Sequence, residues 1–332
     1  MHITLLSGGM GGSRFAQGVL DAVTPSDTVT IIANTADDIT LYGLRICPDL
    51  DTVMYTLSGG IDPVRGWGRT GETWNAKAEL EAYGVEEAWF GLGDRDLATH
   101  LVRTSLLRSG ASLSEATARL CERWQPGGTS RLRGSIRLLP MTDDPVETHI
   151  ETTIDAERRR IHFQEFWIRH RAEVPVHGVD IDGIETAKAA PGVIDAITSA
   201  DIVLIPPSNP VVSVGPIVGV SDIGDALRST TAPIVGVSPI IGRTAVRGMA
   251  NQLLAGLGVD VSATGVAALH GSRASGGILD GWLIDDGDAA ESAAVDELGI
   301  AVRTVPLWMS DAAKTQRLAE DAINLARELG RP

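Results

Sequence analysis

Apolar residues along this chain follow two rhythms that alternate. Short runs rich in apolar residues at 3–6, Thr28–Ala33, Ile202–Ile205, Ile234–Val237, 279–284 and 302–305 predict strands. Between them apolar positions recur with helical spacing, at residues 13–23, 51–57, 74–83, 96–108 and, last, 311–329. Gly59-Gly60, Gly84 and Gly110 stand where three of these helices stop, and Ser112 with Glu115 forms a capping box for a helix running towards Arg123. Strands alternating with helices predict an α/β protein with a mainly parallel, Rossmann-like sheet covered by helices on both faces. The rhythm breaks over residues 125–180, where strand-like stretches at 135–139 and 149–154 are interrupted by charged residues and by His149, His162, His170 and His177. We read a smaller α+β cap inserted there. Residues 1–95 and 185–332 then form the nucleotide-binding core and residues 96–184 the cap region.

Composition narrows the class without naming it. The 332 residues are 43% apolar and 21% charged, as in an ordinary globular protein. The net charge of −15 argues against general nucleic-acid or anionic-membrane binding. Cys47 and Cys121 form no metal or disulfide pattern, no secretory leader is visible, and no apolar run reaches membrane-spanning length. A cytoplasmic protein with free thiols is expected.

The first strand runs straight into Ser7-Gly8-Gly9-Met10-Gly11-Gly12-Ser13-Arg14. Glycines let a backbone turn tightly and approach a ligand, and amides at the start of the following helix would attract an anion, phosphate above all. The spacing is neither a dinucleotide fingerprint, because the last position falls on Arg14, nor a P-loop, because no lysine follows. An anion cradle and a plain tight β–α turn both remain open, and Arg14 favours the anion.

Four other stretches carry candidate chemistry. The second strand ends in Asn34-Thr35-Ala36-Asp37-Asp38, where ligands of open α/β sheets bind. Paired carboxylates beside a phosphate need a cation between them, and oxygen ligands suit magnesium. Asp49 and Asp51 add a second acidic pair, for which helix capping competes with function. In Gly93-Asp94-Arg95-Asp96, Arg95 is either a surface ion pair or a clamp for a phosphoryl oxygen. Asp96 and His100 share a helix face; a cap with a helix-face contact is favoured there over half a metal site. The proline-stiffened loop 206–216 offers Ser208, Asn209 and Ser213 as a second wall for a nucleotide, and Ser238-Pro239-Ile240-Ile241-Gly242 parallels it after the next strand. Trp67, in a loop rich in Gly, Pro and Arg, either stacks on a flat heterocycle or anchors the loop.

Taken in order, these stretches resemble the 2-phospho-L-lactate transferase family of coenzyme F420 biosynthesis, the CofD and FbiA proteins. The likeness runs through residues 8–14, 34–38, 47–52, 61–69, 92–100, 139–145, 208–213 and 238–242 and so spans nearly the whole chain. It implies transfer of a phosphate-linked three-carbon acid from a guanosine diphosphate-linked donor to the terminal ribityl hydroxyl of the deazaflavin FO, with release of GMP. It implies that Gly9, Gly11, Gly12, Ser13, Ser208, Asn209 and Ser213 hold the nucleotide, and that Asn34, Asp51, Thr52, Trp67 and Arg95 hold FO. Asp37 and Asp51 would bind Mg2+ and, with Arg95, carry the catalysis; Asp51 as a base for the hydroxyl stays open. A homodimer without nucleic-acid or membrane partners is expected. Met10 and Ala36 depart from residues common in the family at those positions. Residues 72–77 and 124–127 resemble the actinobacterial branch, which implies an enolpyruvyl donor and dehydro-F420-0 as product. Two other classes compete: a nucleotide-sugar-binding regulator, which lacks reason to keep Arg95 with Gly66-Trp67-Gly68-Arg69, and a dinucleotide-dependent oxidoreductase, which the failed glycine spacing disfavours.

Overall fold

The computed structural model describes residues 1–124, 136–246 and 249–330. Its centre is a seven-stranded sheet: β1 (His2–Ser7), β2 (Thr28–Ala33), β3 (Ile136–Pro140), β4 (Ile202–Ile205), β5 (Ile234–Val237), β6 (Gly281–Ile284) and β7 (Ala301–Thr304). The spatial order is β7-β6-β5-β4-β1-β2-β3 and every pairing is parallel. That order is the Rossmann arrangement with one strand added, so the expected α/β sheet is observed. Alternate residues of each strand enter different cores. Leu5, Ile31, Leu204 and Val235 pack into one cluster, while Leu6, Ile32, Val203 and Ile234 pack into the other. A strand buried on both faces reads as a continuous apolar run, which is why these were visible in the sequence.

The chain leaves β1 and winds outward through β2 and β3, then returns with β4 beside β1 on its other edge. This reversal opens a crevice beyond the carboxyl ends of β1 and β4. The elements around it are α1 (Gly9–Ala22), α2 (Pro48–Leu57) and α3 (Asp94–Arg108). The last helix, α4 (Ala312–Leu329), lies against α1 at close range: a Cβ on Gly18 would stand 2.5 Å from the Thr315 carbonyl oxygen. The capping box is present as a reciprocal pair, the Ser112 amide donating to Glu115 at 2.8 Å and the Glu115 amide to Ser112 Oγ at 3.2 Å.

Helix starts move relative to the pattern. The first helix begins within the glycines, and α2 begins at Pro48, whose missing N–H has no partner to lose at that position. The strands 147–154, 157–162 and 176–182 form a separate three-stranded antiparallel sheet. The boundaries expected for the cap at 96 and 184 coincide with no break in the large sheet. α3 contributes to the cleft wall, and β3 within that span pairs with β2 as the edge strand. Of the expected stretches, Ser135 and Gln125-Pro126-Gly127 lie outside the described residues.

Candidate active site

A cleft of about 670 Å³ fills the crevice at the strand reversal. Of the residues expected to bind or react, Gly9, Gly11, Asp37, Asp51, Thr52, Trp67, Ser208, Asn209 and Ser213 line it. Gly12, Ser13, Asn34 and Arg95 do not.

The glycine turn has a different reason than its sequence suggested. A Cβ on Gly8 would lie 2.5 Å from Ser213 Cβ, one on Gly11 2.5 Å from the Pro207 carbonyl oxygen, and one on Gly12 2.4 Å from Ser7 Oγ. These glycines let the turn press against the loop after β4, so protein rather than ligand takes the space. Ser208 Oγ ties the two segments together, donating to the Gly8 carbonyl at 2.9 Å and accepting from the Gly8 amide at 3.3 Å. Asn209 caps the turn that follows it by accepting from Val211 and Val212. Asn34 donates to Asp49 Oδ2 at 3.0 Å and to the Val212 carbonyl at 3.1 Å, which clamps β2's end to the same loop. Gly9 alone keeps a left-handed backbone, with φ +60°, and its amide donates to Asp49 Oδ1 at 2.8 Å. Asp49 therefore caps α1 from across the cleft. Met10 and Gly11 remain first-turn amides with no acceptor inside the helix, and Arg14 lines the cleft beside them.

The opposite wall is a chain of buried charge. On α3, Asp96, His100 and Arg103 sit at positions that share one face. Arg103, 1% exposed, holds Asp51 of α2 with both terminal nitrogens: Nη1 donates to Oδ2 at 2.9 Å and Nη2 to Oδ1. His100 Nδ1 stands 3.6 Å from Asp51 Oδ2, and its Nε2, without a hydrogen bond among the described residues, stands 3.4 Å from Asp96 Oδ2. The Tyr55 hydroxyl donates to Asp96 at 2.7 Å. Burial alone would raise the Asp96 carboxyl, but His100, Tyr55 and Arg103 together hold it below the ordinary value.

A third group has the opposite character. Asp37 and Asp38 follow β2, almost wholly buried, and among the described residues Asp37 Oδ1 and both Asp38 oxygens have no hydrogen-bond partner. Burial, then repulsion from Asp49 and Asp38, pushes Asp37 well above the ordinary carboxyl range. Burial also raises Asp38 to about 7 against the pull of Arg45, 3.6 Å away, and raises Asp49 to about 6 against its hydrogen bonds from Asn34 and Gly9.

Donor atoms of Asp51, Asp96 and His100 lie within 4.8 Å of one another, a set able to hold a divalent metal ion. Two carboxylates fit magnesium, and the imidazole admits softer transition ions as well. Asp37, expected beside Asp51 as a ligand, is not part of that triad. Arg95 is exposed on α3, where its guanidinium donates to the Thr70 carbonyl at 3.1 Å. The residue one step before Asp96 is turned about a quarter of the way around the helix, off the cleft face. Arg103 was legible by that same phase, seven residues after Asp96, but its partner Asp51 lies on another helix. Trp67 stands at the mouth, 43% exposed and edge-on to Trp74, with Arg65 over both rings. Gln164, Phe163 and Trp167, from the segment between the second and third strands of the antiparallel sheet, and Trp308 and Met309 after β7, complete the walls.

The family model described as "2-phospho-L-lactate transferase CofD" matches residues 3–318. A protein of Kitasatospora aureofaciens named phosphoenolpyruvate transferase is 52% identical over 329 residues, covering 99% of both chains. One of the same name from Mycolicibacterium smegmatis is 51% identical over 336 residues, 98% of this chain and 99% of its own. The crystal structure of protein BH3568 from Bacillus halodurans superposes with a TM-score of 0.66 at 16% identity, over 97% of this chain and 99% of that one, a likeness of fold.

Proposed function

This chain belongs to the 2-phospho-L-lactate transferase (CofD) family, and we propose that it transfers the phosphoenolpyruvyl unit of a guanosine diphosphate-linked donor to FO in coenzyme F420 biosynthesis. It is an enzyme that moves a substituted phosphate group. The observation that supports the finer reading most is the convergence of the glycine turn, Ser208, Ser213, Asp37, Asp51, Thr52 and Trp67 on one cleft.

In this reading the first-turn amides of Met10 and Gly11, with Arg14, receive the diphosphate. Trp67 offers its exposed ring to the flat deazaflavin, and Thr52 contacts the ribityl chain. The ribityl oxygen forms a bond to the phosphorus that carries the enolpyruvyl group, the bond from that phosphorus to the GMP oxygen breaks, and the hydroxyl proton passes to Asp37 Oδ1. A carboxylate whose proton affinity is raised and whose oxygen has no partner is suited to that proton. Asp51, Asp96 and His100 are the residues that would hold Mg2+, and a bound divalent ion supplies charge stabilisation at the transferring group. Arg103 keeps Asp51 in one orientation for that task.

Incubation of the purified protein with FO, Mg2+ and the guanylylated enolpyruvyl donor, followed by mass analysis, tests this. GMP and dehydro-F420-0 should appear together, and faster than the lactyl donor yields its product. Absence of both GMP and an FO phosphodiester overturns the reading.

A further inference from the structure

The glycine turn and Asp49 together assign a selectivity that the fold of the turn does not by itself require. We propose that Asp49 is a resident anion at the N-terminus of α1, so that the cleft accepts a nucleoside diphosphate only when a divalent cation escorts it. This rests on the nucleotide reading above. Asp49 is 6% exposed, lines the cleft, and is fixed by both oxygens: Oδ1 accepts from the Gly9 amide at 2.8 Å and Oδ2 from Asn34 Nδ2 at 3.0 Å. Asn34 is pinned in turn by the Val212 carbonyl and the Ala36 amide, so the carboxylate cannot swing aside cheaply. The turn is shaped around it, since a Cβ on Gly8 would lie 2.7 Å from Asp49 Oδ2. The second observation is Asp37 on the same cleft, 4% exposed, with Oδ1 lacking a hydrogen bond among the described residues.

A helix start ordinarily draws a bare phosphate through its amides and dipole. Here the first amide is already given to a carboxylate, and a second buried carboxylate faces the same space. An incoming diphosphate meets the Asp49 carboxylate at low effective dielectric, where repulsion is several times its value in water. A divalent cation carried on the diphosphate would offset most of that charge, and a hard ion of this kind tolerates carboxylate oxygens nearby. Asp49 thereby rejects free phosphate and metal-free nucleotide while leaving Met10 and Gly11 for the escorted one.

Calorimetric titration of GDP into the wild-type protein and into Asp49→Asn, each with excess Mg2+ and with EDTA, tests the proposal. Asn keeps the acceptor for Gly9 and removes the charge. Wild type should lose more than about tenfold in affinity on chelation, whereas Asp49→Asn should lose less than about threefold. Asp49→Ser, which also removes the carboxylate, should reproduce the contrast, and thermal melts report that each variant is folded. An equal loss on chelation in wild type and both variants overturns the proposal and leaves the nucleotide reading standing. Absence of GDP binding by the wild type with Mg2+ overturns both.

Discussion

The two walls of the cleft are built on contrary principles. The wall made by the glycine turn and the loop after β4 holds its shape by close backbone approach, with no room for a single Cβ at Gly8, Gly11 or Gly12. The wall made by α2 and α3 holds its shape by buried charge, with Arg103 bridging to Asp51 and His100 between two carboxylates. The first is rigid because nothing more fits. The second is rigid because its buried charges hold one another. Packing fixes a surface without charge, whereas charge can be held away from water only where it is paired.

Substitutions should separate these principles. The largest effect is expected at Asp51: Asp51→Asn should lower kcat about a thousandfold, because a several-kcal/mol stabilisation at the transferring group goes with the carboxylate. Steady-state kinetics alongside melts of a folded variant measure it. Next comes Arg103→Met, which leaves Asp51 buried without its partner and should cost about 3–5 kcal/mol of stability by denaturant titration. The double variant with Asp51→Asn should recover part of that loss, and a purely additive result would show that the pair is not the cause.

Gly11→Ala probes the other wall. Its Cβ would meet the Pro207 carbonyl oxygen at 2.5 Å, and overpacking of this kind costs about 1–3 kcal/mol. The loss should appear in the ligand-free protein. Unchanged ligand-free stability with weakened nucleotide binding would instead assign that glycine to the ligand.

A smaller, pH-dependent effect is expected at Asp38. Its folded value of about 7 lies above the ordinary 3.8, so the folded state binds the proton more tightly than the unfolded chain. The group's contribution is present in full below the ordinary value and is lost as pH rises through about 7. Asp38→Asn does not titrate, so its melting temperature should gain on the wild type between pH 5 and pH 8; a constant difference would contradict the raised proton affinity of this buried carboxyl. Smallest of all, Arg95→Ala should change turnover no more than about twofold, as for an exposed side chain away from the cleft.

The parallel sheet was readable from composition runs because burial on both faces leaves no polar alternation to confuse the pattern. The glycine turn was readable as a turn, yet its packing partner lies about two hundred residues on, in Pro207 to Ser213, and no local signal links them. Arg95 drew notice because acids flank it, whereas flanking residues on a helix face different directions. Arg103 carried the better signal, in phase with Asp96 and His100, but its importance depends on α2 bringing Asp51 against it. The sharing of Asp49 between Asn34 and Gly9 was likewise invisible, since a capping aspartate is ordinarily sought just ahead of its own helix.

The contact between α1 and α4 joins the beginning of the chain to its end, with Gly18 lodged against Thr315. During synthesis the first strand, its turn and α1 leave the ribosome long before either the loop after β4 or α4 exists. Phe15 and Val19, fully buried in the finished protein, share a core with Val29, Ile31, Leu50 and Val53, which follow early, and with Leu318, Ala319 and Ala322 of α4, which arrive last. The nascent chain thus carries its first helix with one side of its packing unfinished, and chaperone demand during translation should centre on that helix until release of the last.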